Sequence, residues 1–496
     1  MSDQPDELPE QLRVRREKLD RLRAAGADPY PVGFPRTATA AGLQERYAGL
    51  PPDTAAADRV GVTGRVVLNR PGGKLCFATL RDGAAEIQLM LSADHAGAEA
   101  LAAWKADVDL GDLVGAEGEV VRSRRGELSV RVDRWAFTAK ALRPLPDKHK
   151  GLHDPEARVR RRYVDLIVNP AARQLLETRA RVVGSLRRSL SVRGFLEVET
   201  PMLHPVRGGA TARPFSTRMN ALDIDLFLRI APELYLKRLM VGGLERVFEL
   251  NRNFRNEGMD ATHNPEFTML EVYEAYGDYD TMAELTRSLV VEAAEAAIGR
   301  TVVPDERGGE IDLAAPWRSV TVHEAVSAAV GHEVTADTGL DALRKRAGDH
   351  GVALQPGWVE DEVVLELYEK LVEPEIVAPT FVRDFPARVR PLARAHRKDP
   401  RLTETWDLVV RGLELGPAFS ELTDPVEQRR RLVEQARLGA GGDPEAMALD
   451  EDFLRALEYG MPPLGGMGMG IDRLVMVLTG IASIRETVTF PLVRPE

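Results

Sequence analysis

The two ends of the segment 248–273, FELNRNFRNEGMDATHNPEFTMLEVY, alternate in polarity on either side of a long polar loop. Successive side chains of a strand point to opposite faces, so this pattern predicts an antiparallel hairpin. One face would carry Glu249, Asn251, Asn253 and Arg255 on the first arm, and Phe267, Met269, Glu271 and Tyr273 on the return arm. An arginine can clamp a phosphate through two parallel hydrogen bonds, and an aromatic ring can stack on a base. This face is therefore a candidate nucleotide site, with a merely solvated sheet face as the alternative.

Composition limits the classes of protein to which this chain can belong. A chain of 496 residues, 44% of them hydrophobic, predicts two or three domains. The net charge of −11 argues against a general polyanion binder but leaves room for a local basic patch. A single cysteine, Cys76, excludes an internal disulfide framework and a cysteine-cluster zinc site, and is most simply a buried strand residue. The acidic start MSDQPDELPE and the lack of any run of ~18 apolar residues predict a cytoplasmic protein without signal peptide or membrane span.

The first third of the chain has the pattern of a small barrel. Residues 9–26 predict a helix with a basic outer face, either simply solvated or in contact with phosphates. From Val60 to about Leu142, five short β-like segments and one helical insert suggest a closed barrel of the OB type. Such barrels often bind single-stranded nucleic acid by stacking bases beside basic groups. The candidates are Arg65, Arg70, Lys74, Phe77 and Gln88, although Phe77 is as readily a core residue.

A Pro-rich, basic junction at 143–163 marks the predicted domain boundary. We expect an N-terminal helix and barrel over 1–148 and a second domain over 149–496, with helices at about 170–193 and 279–300 and a helical insertion at about 321–375. Strands near Leu408 and Leu415 would be joined by a tight turn at Arg411–Gly412. The predicted fold class is α+β, with the second domain built on an antiparallel sheet flanked by helices.

Two further segments carry chemistry. PPLGGMGMGIDR predicts a glycine-rich turn immediately before an apolar helix, with Arg473 at the helix start, where anions are favoured. WDLVVRGLELGPAFSEL holds Asp407, Glu414 and Glu421 near the predicted turn. Carboxylate oxygens suit a Mg²⁺ ion that also contacts a nucleotide phosphate, although surface carboxylates near a turn are the usual alternative.

Together these segments resemble the three signature motifs of the class II aminoacyl-tRNA synthetases. GFLEVETPML, with Pro201, is similar to motif 1, FRNEG followed by HNPEFTMLEVY to motif 2, and GMGMGIDRL to motif 3. The likeness continues through GGATARPF, RIAPELYLKRL, PTFVRDFPARVRPLAR and DEDFLRALEYGMPP and covers nearly the whole chain. Within the class it points to the bacterial-type lysyl-tRNA synthetases of subclass IIb. It implies activation of L-lysine with ATP, transfer to tRNA(Lys), a Mg²⁺ cofactor and a homodimer formed through motif 1.

The resemblance also implies roles for individual residues. Arg255 and Arg473 would be catalytic, flanking the phosphates. The implied ATP contacts are Arg255, Glu257, His263, Asn264, Phe267, Glu414 and Arg473. The implied lysine contacts are Gly209, Glu233, Arg255, Glu271, Tyr273, Phe419 and Glu421. The implied metal ligands are Asp407 and Glu414, and the implied anticodon contacts are Arg65, Phe77, Gln88 and Glu127.

The chemistry of the implied lysine pocket is consistent. A buried ammonium without a partner is costly, so it must meet carboxylates and other acceptors, and Glu271, Tyr273 and Glu421 provide two acids and a hydroxyl. An aspartate-specific relative would need a cation at that depth, and ELGPAFSEL contains none. Discrimination against ornithine, one methylene shorter, is worth only ~1–3 kcal/mol.

The chain departs from the family at two positions. Pro417 stands where the family usually has a polar residue, often Asn, and Ala418 where it has glycine. Since proline lacks an N–H and restricts the backbone, an alternative is a divergent paralogue with altered amino-acid preference or inhibitor tolerance. A nucleic-acid-binding module without catalysis is the competing class outside enzymes.

Overall fold

The computed structural model describes residues 9–83, 85–146, 152–305, 307–441 and 445–495. It divides into two compact units, Met1–Arg173 and Gln174–Glu496. The domain boundary predicted between residues 148 and 149 lies outside the described residues.

The first unit contains a closed five-stranded barrel in the order β1-β2-β3-β5-β4, as expected for an OB fold. Neighbouring strands are antiparallel except β3 and β5. Its strands are β1 (Thr54–Pro71), β2 (Leu75–Asp82), β3 (Ala85–Ser92), β4 (Leu113–Arg122) and β5 (Leu128–Ala139). Its helices are α1 (Glu10–Ala24), α2 (Ala40–Arg46), α3 (Ala93–Ala96), α4 (Ala98–Asp107), α5 (Pro155–Arg160) and α6 (Arg162–Val168). Cys76 is fully buried on β2, which confirms the structural interpretation of this residue.

The second unit is built on an eight-stranded sheet in the order β14-β15-β16-β17-β18-β11-β10-β6. Its pairs are antiparallel except β6–β10 and β14–β15. The strands of this unit are β6 (Leu196–Glu197), β7 (Leu203–His204), β8 (Ser216–Met219), β9 (Ile224–Leu228), β10 (Arg246–Phe254), β11 (Glu266–Ala275), β12 (Val302–Pro304), β13 (Glu310–Asp312), β14 (Arg318–Thr321), β15 (Thr380–Arg383), β16 (Thr405–Val410), β17 (Leu413–Ser420) and β18 (Leu464–Gly470). The sheet is therefore rich in antiparallel pairs, as predicted.

Helices cover one face of this sheet. Apolar side chains of α7, α9 and α15 pack with those of β10, β11, β16 and β18 in the largest core cluster. The helices are α7 (Pro170–Val192), α8 (Glu233–Val241), α9 (Tyr279–Ile298), α10 (Val322–Val330), α11 (Leu340–Asp349), α12 (Glu360–Leu371), α13 (Pro425–Ala440), α14 (Glu451–Glu458), α15 (Ile471–Thr479) and α16 (Ile484–Thr487). Helices α10–α12 form the predicted helical insertion and have their own apolar core.

The turn predicted between two C-terminal strands is present. Strands β16 and β17 pair in an antiparallel hairpin joined by Arg411 and Gly412, which have φ angles of 57° and 68°. Positive φ at both central residues is the geometry of the tight turns that match strand twist.

One prediction of local structure was wrong. The glycine-rich segment before α15 is not a turn but the strand β18, which lies between β17 and β11 in the sheet. Glycine is unfavourable in strands, so the sequence alone argued for a turn. At Gly466 the reason for the glycine is the space that neighbouring side chains take up.

In the part of the chain that the structure describes, no helix is both long and apolar enough to cross a membrane.

Candidate active site

A cavity of about 360 Å³ lies on the sheet face opposite α9 and α15. Every residue that the sequence assigned to ATP or to lysine lines it: Gly209, Glu233, Arg255, Glu257, His263, Asn264, Phe267, Glu271, Tyr273, Glu414, Phe419, Glu421 and Arg473. The structure thus brings side chains from β11, β17, α8, α15 and the connecting loops into one site.

The hairpin β10–β11 places its polar face as its alternation predicted. Glu249 pairs with Glu271 and Asn253 with Phe267 across the antiparallel register. Glu249 itself does not reach the cavity, because Arg229 Nη1 holds its carboxylate at 2.6 Å and both side chains are buried. The cavity-facing groups of the strands in this hairpin are Phe267, Met269, Glu271 and Tyr273, and Arg255 joins them from just beyond β10.

Two arginines define one end of the cavity, which we call the arginine end. The guanidinium of Arg255 lies 5.1 Å from the ring centroid of Phe267. Burial lowers the pKa of Arg255, while the carboxylates of Glu257 and Glu414 oppose that shift. Its Nε is buried and has no hydrogen-bond partner among the described residues. A buried donor without a partner is costly, so this group is poised to bind a ligand acceptor.

The second arginine is fixed by backbone and by a histidine. Arg473 donates from Nη1 to the carbonyl of Glu414 at 2.6 Å, and its Nη2 lies 2.9 Å from Nε2 of His263. His263 Nδ1 lies 2.8 Å from an oxygen of Asp260. Burial alone would raise the pKa of Asp260, but hydrogen bonds from Thr262 and His263 outweigh it and lower that pKa to about 2. Because the guanidinium can only donate, His263 accepts through Nε2 and donates through Nδ1.

The opposite end, the acidic end, is lined by buried carboxylates. Glu233, Glu271 and Glu421 are each at least 94% buried, and the Tyr273 hydroxyl donates to Glu271 at 3.2 Å. Burial raises the pKa of Glu271 well above its ordinary value, and the charge of Glu233 adds to this. Burial likewise raises the pKa of Glu421 to about 8, although Lys237 opposes the shift. Such a concentration of buried acids is stable when cations lie nearby or when some of the carboxylates are protonated.

The glycines of β18 make room for these acids. A Cβ on Gly466 would lie 2.1 Å from Oε1 of Glu421 and 2.6 Å from the ring of Tyr273. Any other residue at this position would displace the carboxylate or the ring. This close approach explains the glycine at position 466 of a central strand.

Asp407 is the one predicted ligand of the second unit that does not line the cavity. Its carboxylate is buried and accepts a hydrogen bond from Arg390, whose side chain does line the cavity. Oδ1 of Asp407 has no hydrogen-bond partner among the described residues. Arg390 was missed by the sequence reasoning, since nothing in VRDFPARVRPLAR separates it from the neighbouring arginines.

Asp472 was also missed. It lines the cavity next to Arg473, accepts from the backbone N–H of Thr268 at 2.7 Å and pairs with Arg179 at 2.6 Å. It thereby fastens the start of α15 to β11 and positions Arg473. The sequence signal was its place in the GIDR tetrapeptide, beside the candidate residue Arg473.

The two departures from the family pattern lie on opposite faces of β17. Pro417 is half-buried and lines the cavity, whereas Ala418 is fully buried in the core cluster on the other face. Ala418 was therefore wrongly placed in the pocket, because alternation along the strand turns it away.

The anticodon candidates belong to the first unit. Phe77 is half-buried and alternates along β2 with the inward-facing Cys76 and Ala78, so it lies on the outer face of the barrel. Gln88 accepts a hydrogen bond from Ser129 at 2.9 Å. Arg65 donates to the carbonyl of Gly111 at 2.7 Å, and Glu127 is exposed at the turn before β5.

Comparison with known families agrees with this architecture. The family described as tRNA synthetases class II (D, K and N) matches residues 154–494, and an OB-fold nucleic acid binding domain matches residues 60–136. The chain therefore belongs to the class II tRNA synthetases.

Full-length relatives narrow the family. The chain is 57% identical to a lysine–tRNA ligase of Kineococcus radiotolerans, with 100% of both chains covered. It is 55% identical to lysine–tRNA ligase 1 of Mycobacterium tuberculosis, covering 100% of this chain and 99% of the relative. It is also 55% identical to a lysylphosphatidylglycerol biosynthesis bifunctional protein of Nocardia farcinica. That match covers 98% of this chain and 43% of the relative. Within its class, this chain belongs to the lysine–tRNA ligases.

Proposed function

We propose that this protein activates L-lysine with ATP to lysyl-adenylate and transfers the lysyl group to the 3′ end of tRNA(Lys). Membership of the lysine–tRNA ligases supports ATP, lysine and tRNA as its substrates. The observation that carries the assignment to lysine is the acidic end of the cavity, where Glu271, Tyr273 and Glu421 surround space for a cationic side chain. Three arginines also line this cavity, Arg255, Arg390 and Arg473.

In this proposal the arginine end holds ATP. Phe267 stacks on the adenine, Glu257, His263 and Asn264 contact the base and phosphates from the loop, and Arg473 binds the far side of the triphosphate. Arg255 bridges the α-phosphate and the lysine carboxylate, which its unpartnered Nε supports. An arginine that is already oriented toward the position of developing charge stabilises the transition state more than the ground state.

At the acidic end, Glu233 receives the α-ammonium of lysine, and Glu271, Tyr273 and Glu421 receive the ε-ammonium. Gly209 and Phe419 complete the walls. The carboxylate of lysine, aligned by Arg255, attacks the α-phosphorus in line, and pyrophosphate leaves. A hydroxyl of the terminal tRNA adenosine then attacks the adenylate carbonyl and AMP leaves. Catalysis is by positioning and charge stabilisation, with no covalent enzyme intermediate.

We also propose Asp407 and Glu414 as ligands of Mg²⁺. The partnerless Oδ1 of Asp407 and the cavity-facing Glu414 are hard oxygen donors that fit this ion. A bound Mg²⁺ would neutralise phosphate charge. Arg390 holds Asp407 from the cavity side and orients its carboxylate.

The barrel is proposed to read the anticodon through Phe77, Gln88, Arg65 and Glu127. The outward position of Phe77 supports stacking on a base. Arg65 is the weakest member of the set, since its guanidinium already donates to a carbonyl within the barrel.

A homodimer through motif 1 is proposed from the exposed apolar residues of that region. Leu196 is 52% exposed and Leu203 47% exposed. Sedimentation equilibrium is expected to give a dimer, and an active monomer would contradict it. A cytoplasmic location stays a prediction.

The direct test is ATP–pyrophosphate exchange with each amino acid in turn. Lysine is expected to drive exchange, with ornithine weaker by ~1–3 kcal/mol in kcat/KM. The alternative of a paralogue with altered preference finds no support in the full-length identity to lysine–tRNA ligases. Absence of lysine-dependent exchange in the wild-type protein would contradict the proposal.

A further inference from the structure

Lys237 is a buried cation behind the acidic end of the cavity. Its side chain is 0% exposed, and it lies one helical turn after Glu233 on α8. Its Nζ is 2.6 Å from Oε1 of Glu233 and 2.6 Å from Oε2 of Glu421. One ammonium thus joins two acids from separate parts of the chain, one on a helix and one just beyond β17. Both of these acids line the cavity, whereas Lys237 does not.

The contact with Glu421 differs from the contact with Glu233. Lys237 donates a hydrogen bond to Glu233, but neither oxygen of Glu421 has a hydrogen-bond partner of normal geometry among the described residues. Oε2 of Glu421 is therefore engaged by the Lys237 ammonium, whereas Oε1 keeps its full hydrogen-bonding capacity. A buried carboxylate in this state is ready to accept donors from a ligand.

A charge count shows what the internal lysine achieves. Three buried carboxylates face the acidic end, Glu233, Glu271 and Glu421, and Lys237 offsets one of them. The nearest other pair, Arg229 with Glu249, is internally neutral. Two negative charges remain for two ligand cations when all three acids are ionised. Free lysine carries two ammonium groups, at its α-carbon and at the end of its side chain.

We infer that Lys237 is a positioning residue that sets the amino-acid specificity of this site, by holding Glu233 and Glu421 in place to receive the two ammonium groups of the substrate. The inference rests on the proposed function and deepens it. Lys237 touches no reacting atom. It acts through the two acids: without it, a proton must replace the missing cation, and the carboxylate that takes the proton becomes a poor acceptor for an ammonium.

The test is the variant Lys237→Met, which keeps a long unbranched side chain and removes its charge. We expect the KM for lysine in ATP–pyrophosphate exchange to rise roughly 100-fold or more, because a buried ion pair is broken, while the KM for ATP changes less than about 2-fold. The acid limb of kcat/KM for lysine should also move to higher pH. The other titratable groups that face Glu421 are Glu233, Glu271 and Tyr273. Lys237 opposes the rise that burial causes in the pKa of Glu421, so loss of this cation raises that pKa further.

A matched control is available in the first unit. Lys140 is equally buried and bridges Asp109 and Asp112 at 2.6 and 2.7 Å. Lys140→Met removes a lysine of the same kind without touching the cavity. It should lower thermal stability yet leave the KM for lysine and its pH profile unchanged. If it changed them as Lys237→Met does, the effect would be a general consequence of losing a buried lysine, and the inference would be overturned.

A double-variant cycle separates positioning from mere structural support. If Lys237 acts through Glu421 as well as Glu233, then Lys237→Met combined with Glu421→Gln should cost clearly less than the sum of the two single losses, the remainder being the loss through Glu233. Additive losses would overturn the inference, as would a KM for lysine within 3-fold of wild type in Lys237→Met. Should Lys237→Met fail to fold, Lys237→Arg keeps the charge and must keep the acid limb at its wild-type pH. Failure of the proposed function itself looks different, because the wild-type protein would then show no lysine-dependent exchange.

Discussion

The arginine end and the acidic end of the cavity differ in solvent exposure and in charge. At the arginine end, His263 and Glu414 are partly exposed, and Arg473 is fixed mainly by carbonyl groups and a histidine. At the acidic end, three carboxylates are at least 94% buried and are balanced by one internal lysine. The partly exposed arginine end can bind a polyanion through many contacts. The buried acidic end discriminates between amino acids by the charge of their side chains, because a buried charge left without a partner costs more than a lost surface contact.

The largest expected effect comes from the arginine end. Arg255→Ala should lower kcat/KM for lysine-dependent exchange by roughly 1,000-fold or more, because the removed group faces the charge that develops at the α-phosphate. Arg252→Ala is the matched control, since Arg252 lies on the opposite face of β10 and does not line the cavity. Equal losses in the two variants would show that Arg255 has no special position.

The acidic end is expected to be nearly as sensitive, but only toward lysine. Glu421→Gln should lower kcat/KM for lysine roughly 100-fold while leaving the KM for ATP within about 2-fold. Glu404→Gln is the control, because Glu404 is equally buried, pairs with Arg397 and does not line the cavity. A parallel rise in the KM for ATP would break the separation between the two ends.

Shape at the acidic end can be tested without changing charge. Gly466→Ala puts a methyl group 2.1 Å from the Glu421 carboxylate, and we expect the KM for lysine to rise by about 30-fold. In Gly468→Ala, two residues along the same strand, the nearest atom is the sulfur of Met269 at 3.7 Å. Its KM for lysine should change several-fold less, as measured by exchange or by calorimetric titration.

Much of the fold and of the candidate site could be predicted from the sequence. Alternation in the segment 248–273 was enough to place Phe267, Glu271 and Tyr273 on one face, since strand geometry leaves no other choice. The barrel followed from the spacing of short strands between glycine turns. The candidate site residues followed from the resemblance to a family. All of those in the second unit except Asp407 line the cavity.

What escaped prediction depended on distant neighbours. The glycines of β18 were taken for a turn, because the side chains that fill the space at Gly466, Glu421 and Tyr273, come from distant parts of the sequence. Lys237 four residues after Glu233 has the spacing of an ordinary surface ion pair, and only the fold buries it. Arg390 gave no local signal for its contact with Asp407. The local sequence pattern determines the face of a strand or helix on which a side chain lies. It does not determine which residues from distant parts of the sequence pack against that face.

The acidic end should also impose a pH dependence. Burial raises the pKa of Glu421 to about 8 in the free protein, and lysine binding needs its ionised form. A raised pKa means that the carboxylate is protonated below about pH 8, so kcat/KM for lysine should fall about tenfold per unit below that value. The KM for ATP should not follow this profile. A flat lysine profile between pH 6 and 8 would contradict the account of Glu421.

The smallest effect on activation is expected from the barrel. Phe77→Ala should raise the KM for tRNA(Lys) in aminoacylation by about 10-fold, the loss of one stacked base, and leave ATP–pyrophosphate exchange unchanged. Cys76→Ala, its inward-facing neighbour, is expected to reduce stability without a selective effect on tRNA. Loss of exchange in Phe77→Ala would remove the division of work between the two units.

The most direct measurement is a crystal structure with a non-hydrolysable lysyl-adenylate analogue bound. We predict the adenine ring on Phe267, the phosphate mimic at Arg255, and the terminal ammonium within hydrogen-bond distance of Glu421 and Tyr273, with Lys237 still between Glu233 and Glu421. An analogue bound in the reverse orientation, or with its ammonium directed to solvent, would contradict the claim that one cavity joins a nucleotide end to a lysine end.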